Sequence, residues 1–252
     1  MPYRFLGADE AAEYLQLRRV DLEELVKAQA IPFEARGDRL VFRRQDLDDW
    51  ASGRILASAA PGPESRREAV TWERRCALTS TAPLLSELIN PGQIQAAMTA
   101  KTKAAVLHDL VAVAERTGWV CDRQELTISL RAREALCSTA VPGGVAFLHP
   151  RSPDPYRFSR SFVVLGRTVR PIYWGAPDGQ PTDLFFLLCC QDDRLHLHAL
   201  ARLCLVARKT ELLTQLRAAP DSSALQAALV AAEQAALTKA TEAKGVSAHK
   251  RQ

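Results

Sequence analysis

The chain has 252 residues, 47% of them hydrophobic and 25% charged, a composition that excludes wholesale disorder and is enough for one large core or two domains. Basic side chains number 33 and acidic ones 29, leaving a formal charge of +4; the charges are spread along the chain and do not by themselves announce a nucleic-acid binder. No apolar run reaches the roughly 18 to 20 residues needed to span a bilayer, and the opening MPYRFLGADEAAEYL lacks the apolar centre of a signal peptide, so a cytoplasmic protein without membrane insertion is expected.

The first fifty residues carry a pattern of their own. Asp9 is a fitting N-cap for a short amphipathic helix from Glu10 to Leu15. A second helix is expected from Val20 to about Ala28, with Leu22, Leu25 and Val26 on one face. IPFEA and RLVF then read as two strands joined across Arg36-Gly37-Asp38, where glycine tolerates positive φ. A last short helix, Arg44 to Trp50, presents Leu47 and Trp50.

The matching residues Ala11-Ala12-Glu13-Tyr14-Leu15, Ile31-Pro32, Arg39-Leu40-Val41-Phe42 and Asp46-Leu47-Asp48-Asp49-Trp50 resemble the small winged helix-turn-helix modules of the excisionase and MerR type. That resemblance implies DNA as a partner, with Arg18 and Arg19 at the recognition helix and Arg36, Arg39, Arg43 and Arg44 on the hairpin as the phosphate-gripping candidates. Against it, Met1 to Gly53 holds eight basic residues and eleven acidic ones, whereas DNA readers usually carry the opposite balance. The recognition helix also offers Asp21, Glu23 and Glu24. A protein-interaction wing and a solvated charged face both stand beside the DNA reading.

Residues 54–83 read as a linker, because ILASAAPGPES is rich in Ala, Ser, Pro and Gly. The basic pairs Arg66-Arg67 and Arg74-Arg75 carry no assignable chemistry. The division expected is 1–53 winged helix, 54–83 linker, 84–237 a larger α/β unit and 238–252 a polar tail.

In the larger unit a helix is expected from Thr102 to Thr117, with Ala105, Leu107, Leu110, Val111 and Ala114 as its apolar stripe and Gly118 as its stop. A second spans about Arg123 to Leu136. Val145 to Leu148, Ser161 to Leu165 and Leu184 to Cys190 read as strands, and His196 to Ala207 and Ser222 to Leu237 as helices. Strands interleaved with helices imply an α/β sandwich, a mixed sheet flanked by helices. The six cysteines, Cys76, Cys121, Cys137, Cys189, Cys190 and Cys204, form no CxxC pair and read as reduced packing residues.

Three blocks carry a second resemblance. Arg133-Glu134-Ala135-Leu136-Cys137-Ser138-Thr139 leads without a gap to Gly144-Val145-Ala146-Phe147-Leu148-His149; the run Gly175 to Leu188 reads GAPDGQPTDLFFLL; and His196-Leu197-His198-Ala199-Leu200-Ala201-Arg202-Leu203 opens a helix. Together they resemble enzyme IIA of the mannitol and fructose class of the phosphotransferase system, including its nitrogen-regulatory form. The resemblance implies a phosphohistidine relay: His149 as acceptor, His196 as the neighbouring imidazole, Arg133 as charge partner of the phosphoryl oxygens, and a histidine phosphocarrier protein as donor. Such chemistry calls for neither cofactor nor metal; it needs a nucleophilic imidazole, positioning and charge neutralisation.

The loop around His149 departs from the family pattern. Phe147-Leu148 replaces Ile-Pro, Pro150 replaces a small residue, and the glycine turn has become Ala140-Val141-Pro142-Gly143-Gly144. Two readings follow: a phosphorylation-responsive regulator acting on an unknown target, and an adaptor that keeps both folds without phosphotransfer.

Overall fold

The computed structural model describes residues 5–15, 17–37, 39–58, 84–151 and 156–249. The winged helix runs β1 (Phe5–Gly7), α1 (Ala8–Tyr14), α2 (Arg19–Lys27), β2 (Glu34–Arg36), β3 (Arg39–Arg43) and α3 (Arg44–Ser58). Its sheet has the order β1-β3-β2, antiparallel throughout, and Gly37 takes φ 60° in the β2–β3 turn, the left-handed region that glycine enters without penalty.

Two local expectations change. Gly7, not Asp9, caps α1, with the Gly7 N–H donating to Glu10 Oε2 at 2.7 Å; Asp9 lies inside the first turn, where a carboxylate favours the positive end of the helix dipole. The helix expected to stop at Trp50 continues through Ser58. The cause is a double stripe: Leu47, Ala51 and Ile55 recur every four residues and are buried, and so do Asp48, Ser52 and Leu56 beside them. The remainder of the expected linker, 59–83, lies outside the described residues, as do 250–252 of the expected tail.

The larger unit contains α4 (Leu85–Leu88), a 3₁₀ turn (Pro91–Gln93), β4 (Ile94–Met98), α5 (Lys103–Arg116), α6 (Arg123–Leu136), β5 (Ala140–Val141), β6 (Val145–Leu148), β7 (Phe162–Ile172), β8 (Thr182–Cys189), α7 (Asp193–Lys209), α8 (Leu212–Ala218) and α9 (Ser222–His249). The side chains of Thr102, Asp122 and Asp192 cap α5, α6 and α7. The sheet has the order β4-β7-β8-β6-β5, with β4–β7 and β6–β8 parallel and β7–β8 and β5–β6 antiparallel, a mixed sheet as expected. β4 and α8 were not foreseen, and α9 continues to His249 where a polar end was expected from Thr238.

Both faces of the sheet are covered, so its central strands read as unbroken apolar runs. Val145, Phe147, Leu184, Phe186 and Leu188 point to one face, while Ala146, Leu148, Phe185, Leu187 and Cys189 point to the other with α5 and α6. The first face packs against α7, α8 and α9, and that same buried cluster continues into the winged helix through Leu15, Leu22, Phe42, Leu47, Ile55 and Leu56. Helices α3 and α7 pack together across the boundary. Across that layer Arg202 of α7 pairs with Glu233 of α9 at 3.1 Å, both buried, and Glu233 Oε1 also accepts from the Leu85 N–H at 2.8 Å. Among the described residues no helix is long and apolar enough to cross a membrane.

The turn from β5 into β6 sets the start of the strand that carries His149. Gly143 and Gly144 take φ 101° and 76°, and a Cβ on Gly144 would stand 2.6 Å from Arg217 Nη2 and 3.2 Å from the Pro181 carbonyl. Gly144→Ala is expected to destabilise the chain by about 1–2 kcal/mol from the left-handed backbone alone, with more from displacing Arg217. Thermal and urea unfolding will measure it against Gly179→Ala, whose turn has open space.

Candidate active site

β6 ends with Leu148 opposite Leu187 of β8, so His149 emerges at the C-terminal end of a parallel strand pair, the place where open α/β sheets gather their ligands. His149 Nδ1 lies 3.0 Å from the Phe147 carbonyl. A carbonyl only accepts, so Nδ1 carries the proton and Nε2 keeps the lone pair. Arg133, near the end of α6, donates from Nε to that lone pair at 2.9 Å, and from Nη1 to the Cys137 carbonyl at 3.1 Å. His196, in the first turn of α7, has its ring centroid 4.7 Å from that of His149 at an angle of 45°. The structure therefore brings Arg133, His149 and His196 together.

His149 is buried and His196 half-buried beside it. Burial pushes the His149 pKa well below its ordinary value, and the His196 and Arg133 charges push the same way; burial and then Arg133 push His196 down to about 4. Each ring is thus neutral near pH 7, the form with a nucleophilic nitrogen. Arg133 is itself only 4% exposed, and among the described residues its hydrogen bonds go to an imidazole, a carbonyl and a thiol. A buried guanidinium with neutral partners is costly. It is the arrangement expected where an anion is to be received.

The remaining walls come from residues that sequence reasoning passed over. A cleft of about 30 Å³ beside the histidines is lined by Asp48, Asp49 and Ser52 of α3, by Pro150, Arg151 and Arg157, and by Asp193 of α7. Ser52 Oγ is 3.4 Å from His196 Nε2. Arg44 Nε is 2.5 Å from Asp193 Oδ2, a close ion pair lying off the line of a hydrogen bond. The Tyr14 hydroxyl donates to Asp48 Oδ1 in a short contact. Arg157 is held bidentately by Glu125 at 2.5 and 2.6 Å. Burial, then the charge of Asp193, raises the Asp48 pKa to about 8; burial also raises that of Asp49, opposed by the Arg133 and Arg151 charges. The signal for these residues was present in the alternation of polar Asp48 and Ser52 with Leu56 at four-residue spacing, a second helix face with its own partner.

The six arginines expected at DNA divide differently. Arg18 pairs with Asp21 at 2.5 Å, Arg19 with Asp9 at 2.5 Å and with Glu23 at 2.9 Å, and Arg36 and Arg43 both reach Glu34. Arg36 and Arg43 also lie over the Phe5 ring. Arg39 is exposed on the hairpin. Arg44 is turned to Asp193 at the domain boundary instead of outward with the hairpin.

A helix-turn-helix module followed by a mixed sheet with a buried Arg-His-His cluster defines a two-part protein of the enzyme IIA type. The pattern of the phosphoenolpyruvate-dependent sugar phosphotransferase system EIIA 2 family matches residues 87–231, and that of a helix-turn-helix domain matches residues 5–54; the chain belongs to the EIIA 2 family. A nitrogen regulatory protein of Bradyrhizobium diazoefficiens is 34% identical over 147 residues, 58% of this chain and 94% of that protein. The fructose-specific EIIABC component of Bacillus subtilis is 27% identical over 143 residues, 56% of this chain and 22% of that protein. The crystal structure of nitrogen regulatory protein IIA-Ntr from Neisseria meningitidis superposes with a TM-score of 0.53 at 25% identity, over 58% of this chain and 99% of that one.

The raised Asp48 pKa has a consequence for stability. A carboxyl that stays protonated to about 8 in the folded chain and ionises near 3.9 when unfolded lowers stability as pH rises through that interval. The depressed histidines act oppositely, but only below about 6.5, where the unfolded chain takes up protons first. From about pH 6.5 to 8 the Asp48 slope stands clear of theirs. Asp48→Asn keeps an acceptor for Tyr14 and is expected to flatten that slope and raise stability at pH 7.5 by about 1–3 kcal/mol. Urea unfolding at half-unit pH steps will check both, with the acid-side decline unchanged.

Proposed function

We propose that the chain is a cytoplasmic, phosphorylation-responsive regulator in which His149 accepts a phosphoryl group from a histidine phosphocarrier protein and the helix-turn-helix domain delivers the output. The observation that carries this reading is the Arg133 guanidinium, buried without a carboxylate partner among the described residues and donating to the lone pair of His149 Nε2. In the transfer, Nε2 forms the new P–N bond as the donor imidazole leaves with its electron pair, and the proton stays on Nδ1, donated to the Phe147 carbonyl throughout. Arg133 then passes from the nitrogen to the phosphoryl oxygens, and His196 supplies a second hydrogen-bonding group beside them. The names of the nitrogen regulatory relatives support a regulatory role over sugar transport.

Incubation with phosphoenolpyruvate, enzyme I and the histidine phosphocarrier is expected to give an acid-labile phosphoryl group, absent from His149→Ala and at least 10-fold slower to form in Arg133→Leu. Absence of label after prolonged incubation of both the unaltered chain and an Asp49→Asn variant would remove this reading and leave the adaptor.

For the helix-turn-helix domain we propose DNA as the ligand, through Arg18 at the N-cap of α2, Arg19 in its first turn and Arg36, Arg39 and Arg43 of the hairpin. Exposed ion pairs such as those of Arg18 and Arg36 contribute little to stability, so the acidic partners yield readily to phosphate. Log affinity is expected to fall with log salt at about −0.9 per phosphate contacted, and Arg39→Ala should reduce that slope by about one. A weak affinity that does not respond to salt would retire this ligand.

A further inference from the structure

We propose that α3 of the winged helix and the phosphoryl donor compete for one surface: docked over His149 and His196, α3 offers Asp49 to the arginines that a phosphoryl group would use, and phosphorylation of His149 releases the winged helix. This rests on the reading of His149 as acceptor.

Access comes first. A phosphocarrier brings its phosphoryl group on a side chain of a second protein, and in-line transfer needs the reacting atoms within about 3.5 Å. His149 is 4% exposed, and α3 supplies Asp48, Asp49 and Ser52 to the wall of its cleft. The space beside the rings, about 30 Å³, holds one or two waters and has no room for a donor side chain. Transfer therefore requires α3 to leave.

Charge comes second. In the docked state Asp49 lines the cleft together with Arg151 and His149, and it feels the charges of Arg133 and Arg151 without forming an ion pair with either. A phosphohistidine places a larger negative charge and three acceptor oxygens at the same cations, beside Asp193, whose ion pair with Arg44 holds the start of α3 against α7. Asp49 cannot share the site with the product. The winged helix is thus docked while His149 is free and undocked once it is phosphorylated, and Arg44 is released with it.

The test separates docking from transfer. Carbethoxylation with diethyl pyrocarbonate, mapped by mass spectrometry, reads imidazole access, with exposed His108 as internal reference. In the unaltered chain buried His149 is expected to react at least 10-fold more slowly than His108, and half-buried His196 several-fold more slowly. Ser52→Arg, which wedges a cation against His196 and Arg133, should bring His196 to within a few-fold of His108 and speed phosphoryl labelling at least 10-fold. Arg44→Asp should act in the same direction, and Arg44→Asp with Asp193→Arg, which restores the ion pair in reverse, should return both rates towards the unaltered chain. Phosphorylation of the unaltered chain should itself open His196. If His149 and His196 react like His108 in the unaltered chain, or if all variants label at one rate, the competition is overturned while the acceptor reading stands. Failure to label in every variant despite an opened His196 removes the acceptor reading and the competition with it. A His196 that stays closed in the phosphorylated chain overturns release.

Discussion

The hydrogen bond from Arg133 Nε to His149 Nε2 is the contact on which the rest of the site depends. It joins the end of α6 to the end of β6, and it can form only because the Phe147 carbonyl holds the proton on the other ring nitrogen. The sheet fixes that arrangement in turn: β6 is locked to β8 from Val145↔Leu184 through Leu148↔Leu187, so the histidine cannot slip by one residue without turning every β6 side chain to the opposite face. A buried cation tied to a neutral imidazole is a poor device for stability alone, and its cost is intelligible as preparation for an anion that is not always present.

Legibility followed the kind of constraint. The Arg133, His149 and His196 cluster could be placed from sequence because each lies in a block whose order and spacing match a family, and spacing is something a linear chain preserves. The double apolar stripe of β6 and β8 was equally visible, since strands covered on both faces lose their alternation. β4 was missed because IQAAM has one branched apolar residue and is too short to show an alternation even behind the Asn90-Pro91-Gly92 turn, and its assignment comes only from pairing with β7. Asp48, Asp49 and Ser52 were missed for a different reason. They stand in the stretch that identified the winged helix as a fold, so their side chains were spent on explaining α3 itself, and nothing linear shows that a second domain packs on that face.

The interface between the two parts combines two kinds of contact with separate roles. Its apolar share, Leu56 with the buried cluster around α7, is insensitive to charge and favours association by area. Its polar share, the Arg44–Asp193 ion pair with the Ser52–His196 contact near it, contributes little net energy while intact, because desolvation offsets attraction. Removing one partner of such a pair is strongly unfavourable, about 3–5 kcal/mol, because the other is left buried and uncompensated. An interface so built is steady under ordinary conditions and responsive to a single change of charge.

That arithmetic decides whether a phosphoryl group can act as the switch. Moving an equilibrium from 99:1 docked to 99:1 undocked takes a differential of about 5.5 kcal/mol, more than a screened surface charge supplies. Inside the cleft a phosphoryl group on His149 would act twice, by occupying volume that is not there and by drawing to itself the Arg133 and Arg151 charges that favour Asp49, and both effects would fall on the docked state alone. Tethering works in the opposite direction: a winged helix on the same chain faces its docking surface at millimolar effective concentration, so under the proposed competition it would re-cover His149 once a phosphoryl group is lost. Under that competition a donor would have to catch the open state, and the rate of charging would depend on how firmly Arg44, Asp49 and Ser52 hold α3 in place as well as on His149.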